Sequence, residues 1–251
     1  MAQTYRVLHV DDEVEFLDLI EAYMYSVAPD IVYETTNDPH EALARVKSDD
    51  DSIEALVTDF DMPEMNGLEL LQAVRELDER LPVLLYTGLG SEEVAAEAIS
   101  TGVTDYIQKD HGKSHVQVLS NTLRNAIDRA EAEELAELRL AALEAVREGI
   151  AVFSPDGELV YANPAHQRLY GYTLEEAVGT SWTDFHPDSD VNTIRAEVLP
   201  AVELSGEWHG SGTGLRADDT EFPESKSISE MPNGGFAVVV IDADQESDAS
   251  V

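Results

Sequence analysis

The chain has 251 residues, of which 43% are hydrophobic, so it is long enough to form two ordinary domains with buried cores. Its 52 acidic residues far outnumber its 15 basic residues, which gives a formal net charge of -37 at pH 7. Nucleic acids and anionic lipid surfaces are bound through cationic groups, so this charge argues against either as a partner. Because the chain has no cysteine, disulfides, thiolate nucleophiles and cysteine-ligated metals are excluded.

The excess of acidic residues resembles the composition of proteins from halophiles that accumulate salt. In molar salt the Debye length falls to ~3 Å, so a surface covered with carboxylates stays hydrated without strong self-repulsion. We interpret the charge as halophilic adaptation rather than as a dedicated acidic binding surface. Residues 1–10 lack the basic and apolar regions of a secretion signal, and the longest apolar run is Phe236–Ile241. We therefore expect a cytoplasmic protein that does not span a membrane.

Short apolar runs alternate with amphipathic helical patterns through the first 125 residues. The helical patterns include Glu13–Val27 and Gly67–Arg80, in which apolar residues recur every three or four positions. The predicted strands are Tyr5–Val10, Ile31–Glu34, Ala55–Thr58, Pro82–Thr87 and Val103–Ile107. This alternation predicts an α/β domain with a doubly wound parallel sheet of five (βα) units.

A long helix is predicted from Ser114 to about Glu148, because this segment is rich in strong helix formers and contains no proline. We assign residues 126–148 as a connector between two domains. Leu135, Leu138, Ala142 and Ala145 recur along it at spacings of three and four. Two interpretations remain open, a solvated single helix and a parallel coiled coil that pairs two copies of the chain.

The pattern changes after Gly149, where predicted strands cluster together and predict a second domain over residues 149–243. The acidic residues 244–251 predict a disordered tail. The helices are predicted at Pro164–Tyr170, Leu174–Val178 and Val191–Leu204. The strands are predicted at Ile150–Phe153, Glu158–Tyr161, Gly206–Leu215, Glu221–Ser229 and Gly235–Ile241. This grouping predicts an α+β domain with an antiparallel sheet.

Polar residues follow four of the five strands predicted in the first domain. Asp11 and Asp12 follow the first strand, Asp59 follows the third, Thr87 ends the fourth and Lys109 follows the fifth. The carboxyl ends of parallel strands meet at one edge of a sheet, so these groups should converge there. Oxygen ligands of this kind suit Mg²⁺, which would relieve the repulsion among the carboxylates.

The five groups together have a chemical logic. The Asp59 carboxylate can act as a nucleophile toward a phosphoryl group, while Lys109 and the Thr87 hydroxyl contact the transferred group. Gly88 leaves room for a phosphate to approach.

Residues 4 to about 125 resemble the receiver domain of two-component response regulators, which has a flavodoxin-like fold. The resemblance rests on four motifs, which are Asp11-Asp12, Asp59-x-x-Met62-Pro63-x-Met65-x-Gly67, Thr87-Gly88 and Tyr106-x-x-Lys109. It implies that Asp59 is the phosphoacceptor and that a cognate histidine kinase is the partner. It also implies that Asp11, Asp12, Asp59 and the backbone carbonyl of Asp61 hold Mg²⁺.

In the same family Thr87 and Lys109 would sense the phosphoryl group, and Tyr106 would be an aromatic switch that turns inward when Thr87 engages the phosphate. An alternative role for Tyr106 is edge-strand packing. The chain departs from the family at Asp110, where most members have proline in a cis peptide bond.

Residues 139–243 resemble a PAS domain. The resemblance is carried by EGIAVFSPDGELVYANPAHQRLYGYTLEEAVGTSWTDFHPDSD, GEWHGSGTGLRADDTEFPESKSIS and GGFAVVVIDAD. The PAS fold hosts flavin, haem, small metabolites or no ligand, so the ligand stays unknown. The lack of cysteine excludes a flavin adduct. We interpret His166, His186 and His209 as surface or capping residues, Trp182 and Trp208 as core, and Gly210, Gly212 and Gly214 as a bulged or twisted strand.

These features predict a response regulator without kinase activity, which signals through the connector and the PAS domain by protein contacts. A homodimer formed through the connector or the PAS domain is compatible with this prediction. An alternative is a PAS-based small-ligand sensor whose receiver mainly docks a kinase. A third is the front end of a hybrid kinase, which we favour less because of the short acidic tail.

Overall fold

The computed structural model describes residues 4–48, 53–88, 92–109 and 112–246. The chain divides into two compact units, residues 1–136 and residues 137–251. The division falls within one continuous helix. The predicted connector bounds, 126 and 148, stay predictions.

The first unit contains a five-stranded parallel sheet, which confirms the predicted fold class. The strands lie side by side in the order β2-β1-β3-β4-β5, and every pair is parallel. Their bounds are β1 Tyr5–Val10, β2 Ile31–Thr36, β3 Ala55–Thr58, β4 Val83–Thr87 and β5 Asp105–Gln108. The three central strands are almost wholly buried because helices cover both faces of the sheet.

Five helices accompany this sheet, α1 Val14–Val27, α2 Pro39–Val46, α3 Gly67–Leu77, α4 Glu92–Thr101 and α5 Lys113–Ala145. The apolar residues of α1 and the first part of α5 pack on one face of the sheet, and those of α2 and α3 pack on the other. Helix α3 ends at Leu77, three residues before the predicted Arg80. The Asp78 carboxylate accepts hydrogen bonds from the backbone N–H groups of Arg80 and Leu81, at 2.8 and 3.0 Å, and this local bonding competes with the helix.

Helix α3 starts at Gly67, which packs against the backbone of Asp59 at the end of β3. Asn66 caps the helix in a capping box with Glu69. The Gly67 N–H donates a hydrogen bond of 3.0 Å to the carbonyl of Phe60. A Cβ atom at Gly67 would lie only 2.1 Å from the carbonyl oxygen of Asp59. Glycine therefore allows the helix and the strand end that carries Asp59 to approach closely.

The second unit contains a five-stranded antiparallel sheet in the order β7-β6-β10-β9-β8, which confirms the predicted α+β, PAS-like architecture. Its strands are β6 Gly149–Phe153, β7 Leu159–Ala162, β8 Glu207–Leu215, β9 Glu221–Glu230 and β10 Phe236–Asp242. The strands β8 and β9 pair through nine consecutive residues without a register shift. The glycines of β8 were predicted to form a bulged or twisted strand; they lie in a strand, and the bulge alternative was wrong. A register shift occurs instead between β6 and β7, at Val152 and Phe153.

The helices of this unit are α6 Pro164–Tyr170, α7 Leu174–Ala177, α8 Asp188–Thr193, α9 Leu199–Ser205 and α10 Ala243–Glu246. A 3₁₀ turn covers Trp182–Phe185, and a π-helical turn, Ile194–Val198, joins α8 to α9. Helix α10 lies at the start of the segment for which we predicted disorder, and that prediction stays untested. Residues 247–251 lie outside the described residues. Across the described ranges, no helix combines the length and apolarity needed to cross a bilayer.

The close contact at Gly67 predicts that Gly67→Ala destabilises the first unit by about 1–3 kcal/mol, because the new methyl group must displace the β3 backbone. Gly88→Ala is the matched control, since a Cβ atom there would meet no described atom within 4 Å. We expect the control to change the free energy of unfolding by less than ~0.5 kcal/mol. Hydrogen exchange of peptides from residues 4–109, measured in urea and molar KCl, reports the stability of this unit. Equal effects of the two substitutions would contradict the steric argument.

Candidate functional site

Three carboxylates converge at the carboxyl edge of the parallel sheet, as the sequence predicted. Asp11 and Asp12 follow β1, Asp59 follows β3, and their oxygens lie within 4.8 Å of one another. Asp11 and Asp59 are buried, whereas Asp12 is exposed. The sheet fixes the two buried residues by backbone hydrogen bonds, from the Asp11 N–H to the carbonyl of Thr36 and from the Asp59 N–H to the carbonyl of Val10.

The ammonium group of Lys109 bridges the two buried carboxylates. Its Nζ lies 2.5 Å from Asp11 Oδ2 and 3.1 Å from Asp59 Oδ1. The Lys109 side chain also passes over the ring of Phe16, with Nζ 4.7 Å from the ring centroid. Lys109 directly follows β5, and its N–H donates to the carbonyl of Thr87 at 2.9 Å. The loop after β5 thus carries a cation into the carboxylate cluster.

Burial and neighbouring charges shift the pKa values of this cluster. Burial raises the pKa of Asp11, and the hydrogen bond and charge of Lys109 offset part of the rise. Burial alone would lower the pKa of Lys109, but Asp11 and Asp59 outweigh it, so this pKa lies above its usual value. Lys109 is therefore charged at neutral pH. When ionised, the three carboxylates exceed this single ammonium by two negative charges.

This excess charge and the all-oxygen donor set fit a hard divalent cation such as Mg²⁺. Asp12 is the exposed member of the set, so a hydrated ion can reach the cluster from the solvent side. Asp61 is also exposed, and its N–H donates to Asp59 Oδ2 at 3.2 Å. The role of the Asp61 carbonyl as a metal ligand stays a prediction.

Two of the remaining predicted residues lie on β4 and β5. Thr87 is buried at the end of β4, the strand between those that carry Asp59 and Lys109. Tyr106 lies on the edge strand β5, where it is half-buried and packs against the apolar cluster below α3 and α4. Its predicted switch role is untested. Asp110 lies outside the described residues.

A buried histidine beneath the site was not predicted. His9 lies on β1 with Nε2 3.8 Å from Asp11 Oδ2 and Nδ1 3.1 Å from the hydroxyl of Tyr33. Burial, reinforced by the charge of Lys109, lowers the pKa of His9 to about 3. His9 is therefore neutral and adds no second cation. The sequence did contain a sign of this residue, because His9 is the one polar residue in the apolar segment Val7–Val10 of β1.

The second unit encloses a cavity beside its sheet, and the structure corrects our interpretation of two histidines. His166 is only 4% exposed and stacks on Tyr170 with ring centroids 4.4 Å apart, so it is not a surface residue. The backbone N–H of His166 donates to the capping side chain of Asn163 at 2.9 Å, and the ring lines the cavity. His186 also lines the cavity, as does Trp182. His209 is exposed on β8, as predicted.

Comparisons with known proteins match both units. Residues 7–120 match the response regulator receiver domain family, and residues 143–204 match a PAS fold family. The chain is 31% identical over 134 residues to a chemotaxis protein CheY homolog of Campylobacter jejuni. The aligned region covers 53% of this chain and 99% of the CheY homolog. It is 34% identical over 113 residues, 43% of its length, to the phosphoglycerate transport system transcriptional regulatory protein PgtA of Salmonella typhimurium. The match covers 25% of PgtA.

Two solved structures correspond to the separate units. A response regulator receiver domain protein of Clostridium thermocellum is 25% identical to this chain, with a TM-score of 0.46. The alignment covers 51% of this chain and 98% of the Clostridium thermocellum chain. A PAS domain from Colwellia psychrerythraea is 26% identical to this chain, with a TM-score of 0.42. The alignment covers 44% of this chain and 98% of the Colwellia psychrerythraea chain. The chain spans a quarter or less of the length of PgtA and of the transcriptional regulatory protein ZraR.

Proposed function

Because the chain belongs to the response regulator receiver family through its first half and continues in a PAS fold, we propose that it accepts a phosphoryl group on Asp59 from a histidine kinase. The observation that carries this proposal is the carboxylate cluster bridged by Lys109. It presents a buried nucleophile beside a fixed cation, at the sheet edge where ligands bind.

In the proposed reaction an Asp59 carboxylate oxygen forms a bond to phosphorus, and the bond between phosphorus and the donor breaks. The donor leaves with the electron pair of that bond. Lys109, which contacts Asp59 Oδ1 before reaction, would then pair with the phosphoryl oxygens. Thr87, at the end of the intervening strand, would donate its hydroxyl to them, and Tyr106 would respond by changing its packing.

We propose Asp11, Asp12, Asp59 and the carbonyl of Asp61 as the Mg²⁺ ligands. Bound there, Mg²⁺ would supply positive charge to the transferring phosphoryl group. Phosphorylation at Asp59 would add negative charge to a cluster of carboxylates whose charge Lys109 neutralises only in part. The resulting change in the site would alter protein contacts made through α5 and the PAS unit.

The phosphoacceptor is tested by intact mass after incubation with acetyl phosphate and Mg²⁺ in molar KCl. We expect one phosphoryl adduct in the wild type, none in Asp59→Asn and none when a chelator removes Mg²⁺. Asp61→Asn is the matched control, since it alters an exposed carboxylate two residues away and should still form the adduct. An adduct that persists in Asp59→Asn, or a folded wild type that forms none, would contradict the proposal.

The metal site predicts different effects for two neighbouring exposed aspartates. Asp12→Asn removes a proposed carboxylate ligand and should weaken Mg²⁺ binding at least ~10-fold. Asp61→Asn keeps the backbone carbonyl and should change the affinity less than ~2-fold. Calorimetric titration of each protein with MgCl₂ in molar KCl measures both constants. Equal losses in the two variants would assign the Asp61 side chain, rather than its carbonyl, to the metal.

We also propose that α5 pairs with the same helix of a second copy. Every residue from 131 to 145 is exposed, and Leu138 is exposed by 66%. Leu135, Leu138, Ala142 and Ala145 occupy the a and d positions of a heptad repeat. In a parallel pair Glu134, at g, faces Arg139 of the second copy, at e. This charge complementarity, in a segment with few basic residues, favours a second copy as the partner.

The pairing predicts that Leu138→Glu converts a dimer to a monomer, because it places two carboxylates within the seam. Leu140→Glu is the control, since Leu140 is exposed by 44% but lies at the outward f position. We expect this variant to stay dimeric. Sedimentation in 2 M KCl gives the mass of each. A monomeric wild type, or equal dissociation by both substitutions, would argue against this seam.

A further inference from the structure

The imidazole of His9 presents its two ring nitrogens to two different polar partners. Nδ1 lies 3.1 Å from the hydroxyl oxygen of Tyr33, within hydrogen-bond distance, and Nε2 lies 3.8 Å from Asp11 Oδ2. The side chains of His9 and Asp11 are both fully buried. The rings of Phe16, Tyr33 and Tyr86 surround the imidazole, with ring centroids 5.7 to 6.3 Å away. This packing holds the imidazole between the tyrosine hydroxyl and the carboxylate.

The position of the ring proton follows from these two partners. His9 is neutral, so its imidazole carries one proton, on Nδ1 or on Nε2. A proton on Nδ1 would leave the lone pair of Nε2 facing the Asp11 carboxylate, and this repulsion is strong in a buried environment. A proton on Nε2 faces the carboxylate instead, and Nδ1 then accepts a hydrogen bond from the Tyr33 hydroxyl. Because the second arrangement makes both contacts favourable, the geometry favours a proton on Nε2.

The Asp11 carboxylate is held by groups of different origin. Its Oδ1 accepts a hydrogen bond of 3.0 Å from the backbone N–H of Glu13, and its Oδ2 contacts Lys109 and faces His9. In the proposed reaction Lys109 pairs with the phosphoryl oxygens, so its attraction to Asp11 weakens. The contact from His9 comes from β1, the strand that leads directly into Asp11, and does not depend on the loop after β5. It therefore persists when Lys109 changes partner.

We propose that His9 is a positioning residue, whose Nε2–H group holds the Asp11 carboxylate in place for Mg²⁺ while the Tyr33 hydroxyl fixes the proton by donating to Nδ1. This inference deepens the proposed phosphoryl transfer and rests on it. Groups that orient a metal ligand from outside typically change metal affinity by roughly 10–100-fold. The distance of 3.8 Å is longer than a hydrogen bond, so the attraction is electrostatic and we expect a smaller effect, of ~3–10-fold.

The first test locates the ring proton in the absence of metal. The full chain is labelled with ¹⁵N in its histidines and studied in molar KCl, which screens the net charge of the protein. Nitrogen chemical shifts distinguish a protonated from an unprotonated ring nitrogen. We expect the proton of His9 on Nε2, and we expect Tyr33→Phe to shift the Nδ1 resonance because it removes only the hydroxyl. A proton on Nδ1 in the wild type would overturn the proposal.

Two substitutions separate the roles of the two nitrogens. The amide of His9→Gln places an N–H group near the position of Nε2, whereas the shorter amide of His9→Asn reaches only the position of Nδ1. We expect His9→Gln to keep the Mg²⁺ affinity within ~2-fold of the wild type and His9→Asn to weaken it at least ~3-fold. Calorimetric titration with MgCl₂ in molar KCl measures both constants. A purely structural role of His9 predicts equal losses instead.

Tyr33→Phe provides a second affinity test should the amide variants fail to fold, since it leaves the imidazole in place. It should weaken Mg²⁺ binding at least ~2-fold, because the proton is no longer fixed on Nε2. Tyr5→Phe is the matched control on the same sheet, since it removes a hydroxyl that bonds to Asp128 at 2.8 Å, and it should bind Mg²⁺ as the wild type does.

Equal Mg²⁺ affinities in the wild type, His9→Asn and Tyr33→Phe would overturn the positioning role of His9. In that case the metal site and the phosphoacceptor would still stand. A folded wild type that binds no Mg²⁺ would contradict the proposed metal site itself, and the role of His9 with it. The two failures are thus distinguishable.

Discussion

The first unit depends on the attraction between Lys109 and the two buried carboxylates that it bridges, Asp11 and Asp59. Three sequence-distant strands supply these groups, and the parallel sheet brings their ends together. Without a cation, two carboxylates this close and this buried would repel one another, and one would take up a proton. Lys109 reduces this repulsion without removing it. The site is thus stable as it stands but retains a negative charge that a divalent cation can neutralise.

Close packing keeps this arrangement in place. Gly67 lets the start of α3 approach the backbone of Asp59, and His9 fills the space beneath Asp11 as a neutral ring. A protonated His9 would compete with Lys109 for the same carboxylate, so its low pKa matters to the charge balance of the site. The residues packed around Asp11 and Asp59 are therefore small or neutral, and the positive charge that contacts both carboxylates comes from Lys109.

The sequence predicted that the carboxylates and Lys109 converge because each lies just after the end of a strand, and strand order alone brings such positions to one edge. It predicted the PAS cavity poorly. Glu224 and Lys226 lie two apart on β9, which in a strand means the same face, but two charged residues give no sign that this face is the buried one. Gly214 on β8 helps Glu224 to fit, since a Cβ atom there would lie only 3.0 Å from a carboxylate oxygen of Glu224.

The two units manage buried charge in opposite ways. The receiver cluster is left with excess negative charge, on which the proposed Mg²⁺ and phosphoryl group would act. In the second unit the buried Lys226 and Glu224 pair directly, so their charges cancel. Between them α5 carries exposed leucines at residues 135 and 138, which a second copy would cover. The helix is continuous from Lys113 to Ala145, so in the proposed dimer the same helix would contribute to the core of the first unit and to the seam.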